Sequence, residues 1–175
     1  MGITIRRILP ENAREYALLA DACWKSAYTG IMPEEFLRSR EEEKFEQRVE
    51  NYRQALGGSE CDFYFAEYSE RNVGLLGIRK SRDEDKPDAG EIMAIYLIEE
   101  FWGKGFGKEL LKLALDALKS MGHSEIILWT LEENDRGRRF YERNGFVLDG
   151  AKKEMEFGKT LICLRYVLNL REEKL

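Results

Sequence analysis

The sequence predicts an α/β fold, a mixed sheet with helices packed on both faces. Segments with period-two alternation or short unbroken apolar runs recur seven times along the chain. Between them lie segments whose apolar residues repeat at three- and four-residue intervals. The two kinds follow one another as β, α, α, β, β, β, α, β, α, β, β, an order that fits neither an all-helical nor an all-strand protein. With 175 residues, 43% hydrophobic and 35% charged, the chain suits one domain, 1–175, that buries about two-thirds of its unfolded surface.

Ile3, Ile5 and Ile8 alternate with polar residues as in a half-buried strand, and Pro10 to Asn12 break the pattern and open a helix. Tyr16, Leu19, Ala20, Cys23 and Trp24 then form one apolar stripe. Tyr28 to Pro33 reads as a loop, because Gly30 and Pro33 interrupt the helical spacing. Glu34 to Arg40 and Glu42 to Leu56 read as a short and a longer helix, the second ended by Gly57-Gly58. Phe63 to Tyr68 and Val73 to Arg79 form a hairpin about the turn Glu70-Arg-Asn72. After a polar loop from Ser81 to Gly90, Glu91 to Ile98 has the near-continuous apolar character of a central strand. Gly105 to Met121 is a strong amphipathic helix, Glu125 to Leu131 a buried strand, and Asn134 to Asn144 a helix stopped by Gly145. Val147 to Phe157 and Thr160 to Leu168 supply the last two strands.

Composition narrows the function. The net charge of −5 opposes binding to nucleic acid, whose phosphates reward clustered Lys and Arg. No apolar leader and no apolar run of membrane-spanning length stands in the sequence, so a cytoplasmic protein with no membrane partner is expected. Cys23, Cys61 and Cys163 are widely spaced and odd in number, which suits reduced thiols and predicts no metal site. The single histidine, His123, reads as a turn residue. Glu34, Glu35, Glu41, Glu42, Glu43, Glu46 and Glu50 crowd one stretch, read as a solvated helix face in preference to a cation-attracting one. The apolar last strand suits a buried place in one sheet or pairing across a homodimer axis.

The chemistry concentrates in Trp102-Gly-Lys-Gly-Phe-Gly107, between a buried strand and a helix. Glycines remove the Cβ atoms that keep a ligand from the backbone, and the helix start adds unpaired N–H groups and the positive end of its dipole. A phosphorylated ligand is expected there, with Lys104 and Lys108 available to add charge; a bare strand-to-helix turn is the competing reading. A Walker loop is excluded because Glu109 follows Lys108 where a hydroxyl residue is needed. The Rossmann fingerprint is excluded because the third glycine comes one residue too early and the loop follows a late strand.

The segment Glu91 to Leu111, with Gly105 and Gly107, resembles the cofactor motif of the GNAT family of acyl-CoA-dependent N-acetyltransferases, Arg/Gln-x-x-Gly-x-Gly/Ala. Asn134 and the run Phe140-Tyr-Glu-Arg-Asn-Gly-Phe146 resemble the family's second motif. The resemblance spans about Ile5 to Leu168 and implies a largely antiparallel sheet of about seven strands and the cofactor acetyl-CoA. It implies cofactor contacts from Ile95, Tyr96 and Leu97 through the main chain, from Trp102, Gly103, Lys104, Gly105, Phe106, Gly107 and Lys108 around the pyrophosphate, and from Asn134 and Tyr141. Trp102 departs from the family's Arg or Gln, so the backbone is expected to carry the pyrophosphate and Trp102→Ala to weaken binding only mildly.

The resemblance further implies that Tyr141 is the general acid for the departing thiolate. Glu91, where some members carry a catalytic glutamate, is the candidate base or a solvated strand-entry residue. The alternative glutamate position of the family is Trp129 in this chain. Trp129, with Tyr28 and Met32, is expected to shape the pocket of an amine acceptor: a polyamine, an amino sugar, an amino-acid derivative or a protein. A non-catalytic acyl-CoA-binding module is the alternative function.

Overall fold

Strand residues of alternate parity feed two apolar layers, and this decides where the other elements sit. The computed structural model describes residues 2–42 and 44–170. Its strands are β1 Thr4–Arg7, β2 Cys61–Tyr68, β3 Arg71–Lys80, β4 Gly90–Leu97, β5 Glu125–Leu131, β6 Val147–Glu156 and β7 Thr160–Asn169. They form one seven-stranded sheet in the order β1-β2-β3-β4-β5-β7-β6. Every neighbouring pair is antiparallel except β4 with β5. The predicted fold class is therefore the observed one.

On β3, Leu76 and Ile78 join the larger apolar cluster while Leu75 joins the opposite one. The larger cluster is closed by the helix α4, Phe106–Ser120, which contributes Leu110, Leu111, Ala114 and Leu118, with Phe140 and Tyr141 of α5, Asp135–Arg143, packed against it. Leu111, Ala114 and Leu118, at intervals of three and four with Leu110 beside them, put one stripe of α4 on the sheet. The other face is covered by α1, Ala13–Tyr28, whose Tyr16 and Ala20 meet Phe65 and Leu75. Next to α1 lie α2, Glu34–Glu42, and α3, Phe45–Gly57; Val49 of α3 packs on Ala13 and Ala17.

The third helix begins later than predicted, because Lys44 precedes it with φ of 56° and breaks the run. Glu43 of the acidic stretch lies outside the described residues, as do Met1 and 171–175 of the predicted domain. The hairpin turn is also tighter than predicted, with Ser69 and Glu70 at φ of 48° and 62°. Among the described residues no helix is long and apolar enough to cross a membrane.

One irregularity opens the sheet. β4 pairs with β5 only from Gly90 to Ile92, opposite Ile126 to Leu128. At that point the register with β3 shifts: Gly77 faces Ala94 and Ile78 faces Ile92, leaving Met93 as an extra residue. Such a bulge bends the strand that carries it. Beyond it β4 stays on β3 as far as Leu97, while β5 continues to Leu131 paired with β7. The two central strands thus part company, and a cleft of about 780 Å³ opens between them.

Candidate active site

The direction of each main-chain group on the free edge follows from the ladder. Ile98 donates its N–H to Val73 O at 3.0 Å, which makes that opposed pair a hydrogen-bonded one. Antiparallel pairs alternate, so Tyr96 also turns its N–H and C=O toward β3, whereas Ile95 and Leu97 turn theirs toward the cleft. The Leu97 carbonyl is met there by the indole N–H of Trp102 at 2.8 Å. Ile95, Tyr96, Leu97 and Trp102 all line the cleft.

The loop that follows is held open by its glycines. Gly103 and Gly105 have φ of 75° and 90°, the left-handed region that side chains rarely adopt, and a Cβ built on either would meet nothing within 4 Å. Gly105 caps α4. Lys108 and Glu109 donate their N–H groups to Gly105 O, while the first N–H groups of the helix, at Phe106 and Gly107, have no carbonyl within it. A Cβ on Gly107 would come to 3.4 Å from the Phe140 ring, so α4 and α5 pack closely at that glycine. Gly103, Gly105, Gly107 and Lys108 line the cleft. Phe106 does not; it is core, in contact with Phe101 and Tyr68. Lys104 also stays out, with Nζ over the Phe101 ring at 4.7 Å.

α5 forms the opposite wall. Asn134 caps it, its Oδ1 accepting from Gly137 N at 3.0 Å and its Nδ2 reaching Thr130 Oγ1 at 3.4 Å. Tyr141 lies about two helical turns beyond, its ring packed on Phe140, Phe146 and Tyr166. Burial first, and the neighbouring Tyr96 second, push the Tyr141 phenol above its ordinary value. Among the described residues its hydroxyl has no hydrogen-bond partner, and the residue lines the cleft. Arg136, Arg139 and Arg143 line it as well. Sequence reasoning missed these arginines; their spacing of three and four on a short helix was the available signal.

At the other end the cleft is aromatic. The Tyr28 and Tyr96 hydroxyls lie 2.7 Å apart, and burial raises the pKa of both. The Trp129 indole donates to Asp83 Oδ2 at 3.0 Å, and Lys153 Nζ sits over its ring at 4.1 Å. Asp83 is held in turn by Arg165, which also binds Asp85 and Asp149.

Two further expected site residues, besides Phe106 and Lys104, fall outside the cleft. Met32 is 5% exposed and packs with Leu37, Leu131, Leu161 and Cys163, because its segment turns inward at Gly30 and returns a hydrogen bond to Tyr28 O. Glu91 is 6% exposed, does not line the cleft, and accepts from Arg79 Nε at 2.6 Å on the adjacent strand. A carboxylate so engaged is a structural ion pair, not a base within reach of the cleft.

The residues present suit acetyl-CoA. A free strand edge offers main-chain partners to an extended amide-bearing arm, and a glycine cradle at a helix start, among four basic side chains, suits a pyrophosphate.

Comparison with known proteins agrees. Residues 24–146 match the acetyltransferase (GNAT) family. A probable N-acetyltransferase of Mycobacterium tuberculosis is 30% identical over 85% of this chain and 82% of its own length. The spermidine N(1)-acetyltransferase of Thermoplasma acidophilum is 29% identical over 89% of this chain and 97% of its own. The crystal structure of the PaiA N-acetyltransferase from Thermoplasma acidophilum in complex with coenzyme A superposes with a TM-score of 0.73 and 25% identity, covering 97% of this chain and 99% of that one.

Proposed function

The chain belongs to the GNAT family of acetyltransferases and uses acetyl-CoA, and from that premise we propose that it acetylates a primary amine of a small molecule or protein by direct attack in a ternary complex. The observation that carries this reading is the Tyr141 hydroxyl, without a partner among the described residues and beside a strand edge that offers main-chain donors to the same cleft. Acetyl-CoA, when bound, supplies a thioester whose carbonyl carbon accepts the amine and whose sulfur leaves.

Tyr141 gives its proton to that sulfur. Its raised pKa keeps the phenol protonated at neutral pH, as a general acid requires. The Leu97 N–H, turned into the cleft, is aimed at the charge that grows on the carbonyl oxygen. Ile95 holds the extended arm by its N–H and C=O, and Tyr96 lies between them on the same edge. The amides of Gly103 to Gly107, with Lys108, receive the pyrophosphate. Asn134 combines a cap for α5 with a wall for the arm.

Tyr28, Tyr96 and Trp129 form the acceptor wall. Among the described residues no Asp or Glu lines the cleft, so the proton of the attacking amine passes to water. The same lining favours an acceptor with a single ammonium group, an amino sugar or amino-acid derivative, over a polyamine such as the spermidine named for the archaeal relative. Thiol release from acetyl-CoA is to be measured over a panel of spermidine, amino sugars, amino acids and peptides. Release with a monoamine and its loss in Tyr141→Phe are the expected results. Spermidine as the preferred acceptor would overturn the acceptor class, and binding of coenzyme A without release from any amine would favour a non-catalytic module.

A further inference from the structure

We propose that Arg136 is the side-chain cation of the phosphate-binding loop and that Trp102 is its platform, so that two residues 34 positions apart do together what one Arg or Gln does in the family pattern. This rests on the reading of the cleft as an acetyl-CoA site. The guanidinium carbon of Arg136 lies 3.6 Å from the centre of the Trp102 ring, a cation–π stack at close range. Both residues line the cleft with Gly103 and Gly105.

The chemistry divides between them. An indole is a donor with a single N–H, and that of Trp102 is already given to Leu97 O at 2.8 Å. Trp102 therefore has no polar atom left for a phosphate. Arg136 has the complementary condition. Stacking engages the face of the guanidinium and leaves the N–H groups around its edge, and among the described residues it makes no ion pair or hydrogen bond. A planar cation of fixed orientation and open edge suits a bidentate phosphate contact. Arg139 and Arg143 follow on the same helix, but among the described residues neither has an aromatic platform.

The hydrogen bond to Leu97 gives the platform its own anchor. It joins the loop to the end of the splayed strand, and the stack joins the loop to α5. One indole thus connects the three elements that form the cofactor end of the cleft.

Affinities for coenzyme A and for pantetheine, which lacks the phosphates, test this by calorimetry or competition. Arg136→Ala is expected to weaken coenzyme A binding by about tenfold or more and to leave pantetheine unchanged. Trp102→Ala should weaken coenzyme A nearly as much, in place of the mild loss expected from the sequence, because the Arg136 stack rests on it, and the double variant scarcely more than Arg136→Ala alone, because the second change removes a platform with nothing on it. Trp102→Phe, which keeps an aromatic face and loses the bond to Leu97, should recover most of the affinity. Undiminished affinity in Arg136→Ala, or losses that add in full, would overturn the proposal. So would an equal loss for pantetheine, which reports a damaged cleft. A wild-type chain that binds no coenzyme A would overturn the reading of the cleft itself.

Discussion

The two ends of the cleft are built by different means. The end proposed for the cofactor is made chiefly of main chain: the turned-out groups of Ile95 and Leu97, the positive-φ glycines Gly103 and Gly105, and the start of α4, with Trp102 and Arg136 stacked beside them. The end proposed for the acceptor is made of aromatic side chains whose polar atoms are already taken, Tyr28 by Tyr96 and Trp129 by Asp83. Main-chain donors come with the fold and cannot be exchanged without breaking it, which suits a ligand of constant structure. Side-chain walls can be changed one at a time, which suits a partner that differs from protein to protein.

If this division is real, substitutions should separate the chemical step, cofactor affinity and acceptor affinity. Tyr141→Phe has the largest expected effect, a fall in kcat of about 10²–10⁴-fold with coenzyme A affinity unchanged; an unaltered kcat removes the phenol from its role. Glu91→Ala should lower stability to urea by about 1–3 kcal/mol, because Arg79, its side chain 21% exposed, is left partly buried without its partner. Its kcat per folded molecule and the pH profile should stay as they are, and loss of the acid-side limb would return Glu91 to the candidate bases.

Gly105→Val forces a branched residue to φ of 90°, and coenzyme A binding should weaken by about tenfold to a hundredfold. Pantetheine would be weakened far less if the strain is confined to the cradle. Trp129→Phe should raise the KM of the acceptor by about threefold to tenfold. A change in coenzyme A affinity instead would erase the boundary between the ends.

The smallest expected effect is on the alkaline side. Burial raises the Tyr141 pKa, so the neutral form is the one the fold prefers. Its contribution to stability is complete below the ordinary tyrosine value of about 10, where both folded and unfolded chains hold the proton. It is lost as pH rises through the folded value, since the unfolded chain ionises first. The kcat profile should accordingly show no fall from this group below pH about 10; an earlier fall that disappears in Tyr141→Phe would contradict the burial.

What the sequence made legible follows the same division. Gly105, Gly107, Asn134 and Tyr141 lie in short local patterns, and the spacing of Leu110, Leu111, Ala114 and Leu118 states one face of a helix by itself. Strand positions came from alternation, to within a residue or two at the ends. Cross-strand and cross-helix partners did not. Arg79 is matched to Glu91 by the register of a hairpin, and Arg165 reaches Asp83 across 82 residues. Neither spacing is written in any local period. Met32 misled for a related reason: beside Gly30 and Pro33 its segment reads as an exposed loop, yet the turn at Gly30 directs the side chain into the apolar layer beside Leu37. Trp102, treated as a departure from the family pattern, acquires its partner only when α5 is laid beside the loop.

The extra residue at Met93 has a consequence that is arithmetical. In strict alternation residues three apart on a strand face opposite ways, yet Ile92 and Ile95 both enter the cluster beneath α4, with Leu97 beside them. Tyr96 is correspondingly sent to the other layer, where it meets Tyr28. Leaving Met93 out of the alternation changes odd into even for everything that follows it on the strand. Had Met93 instead taken a place in strict alternation, with no bulge, the same letters would offer the α4 side a tyrosine and the opposite side two aliphatic residues, an identical composition with its inside and outside exchanged.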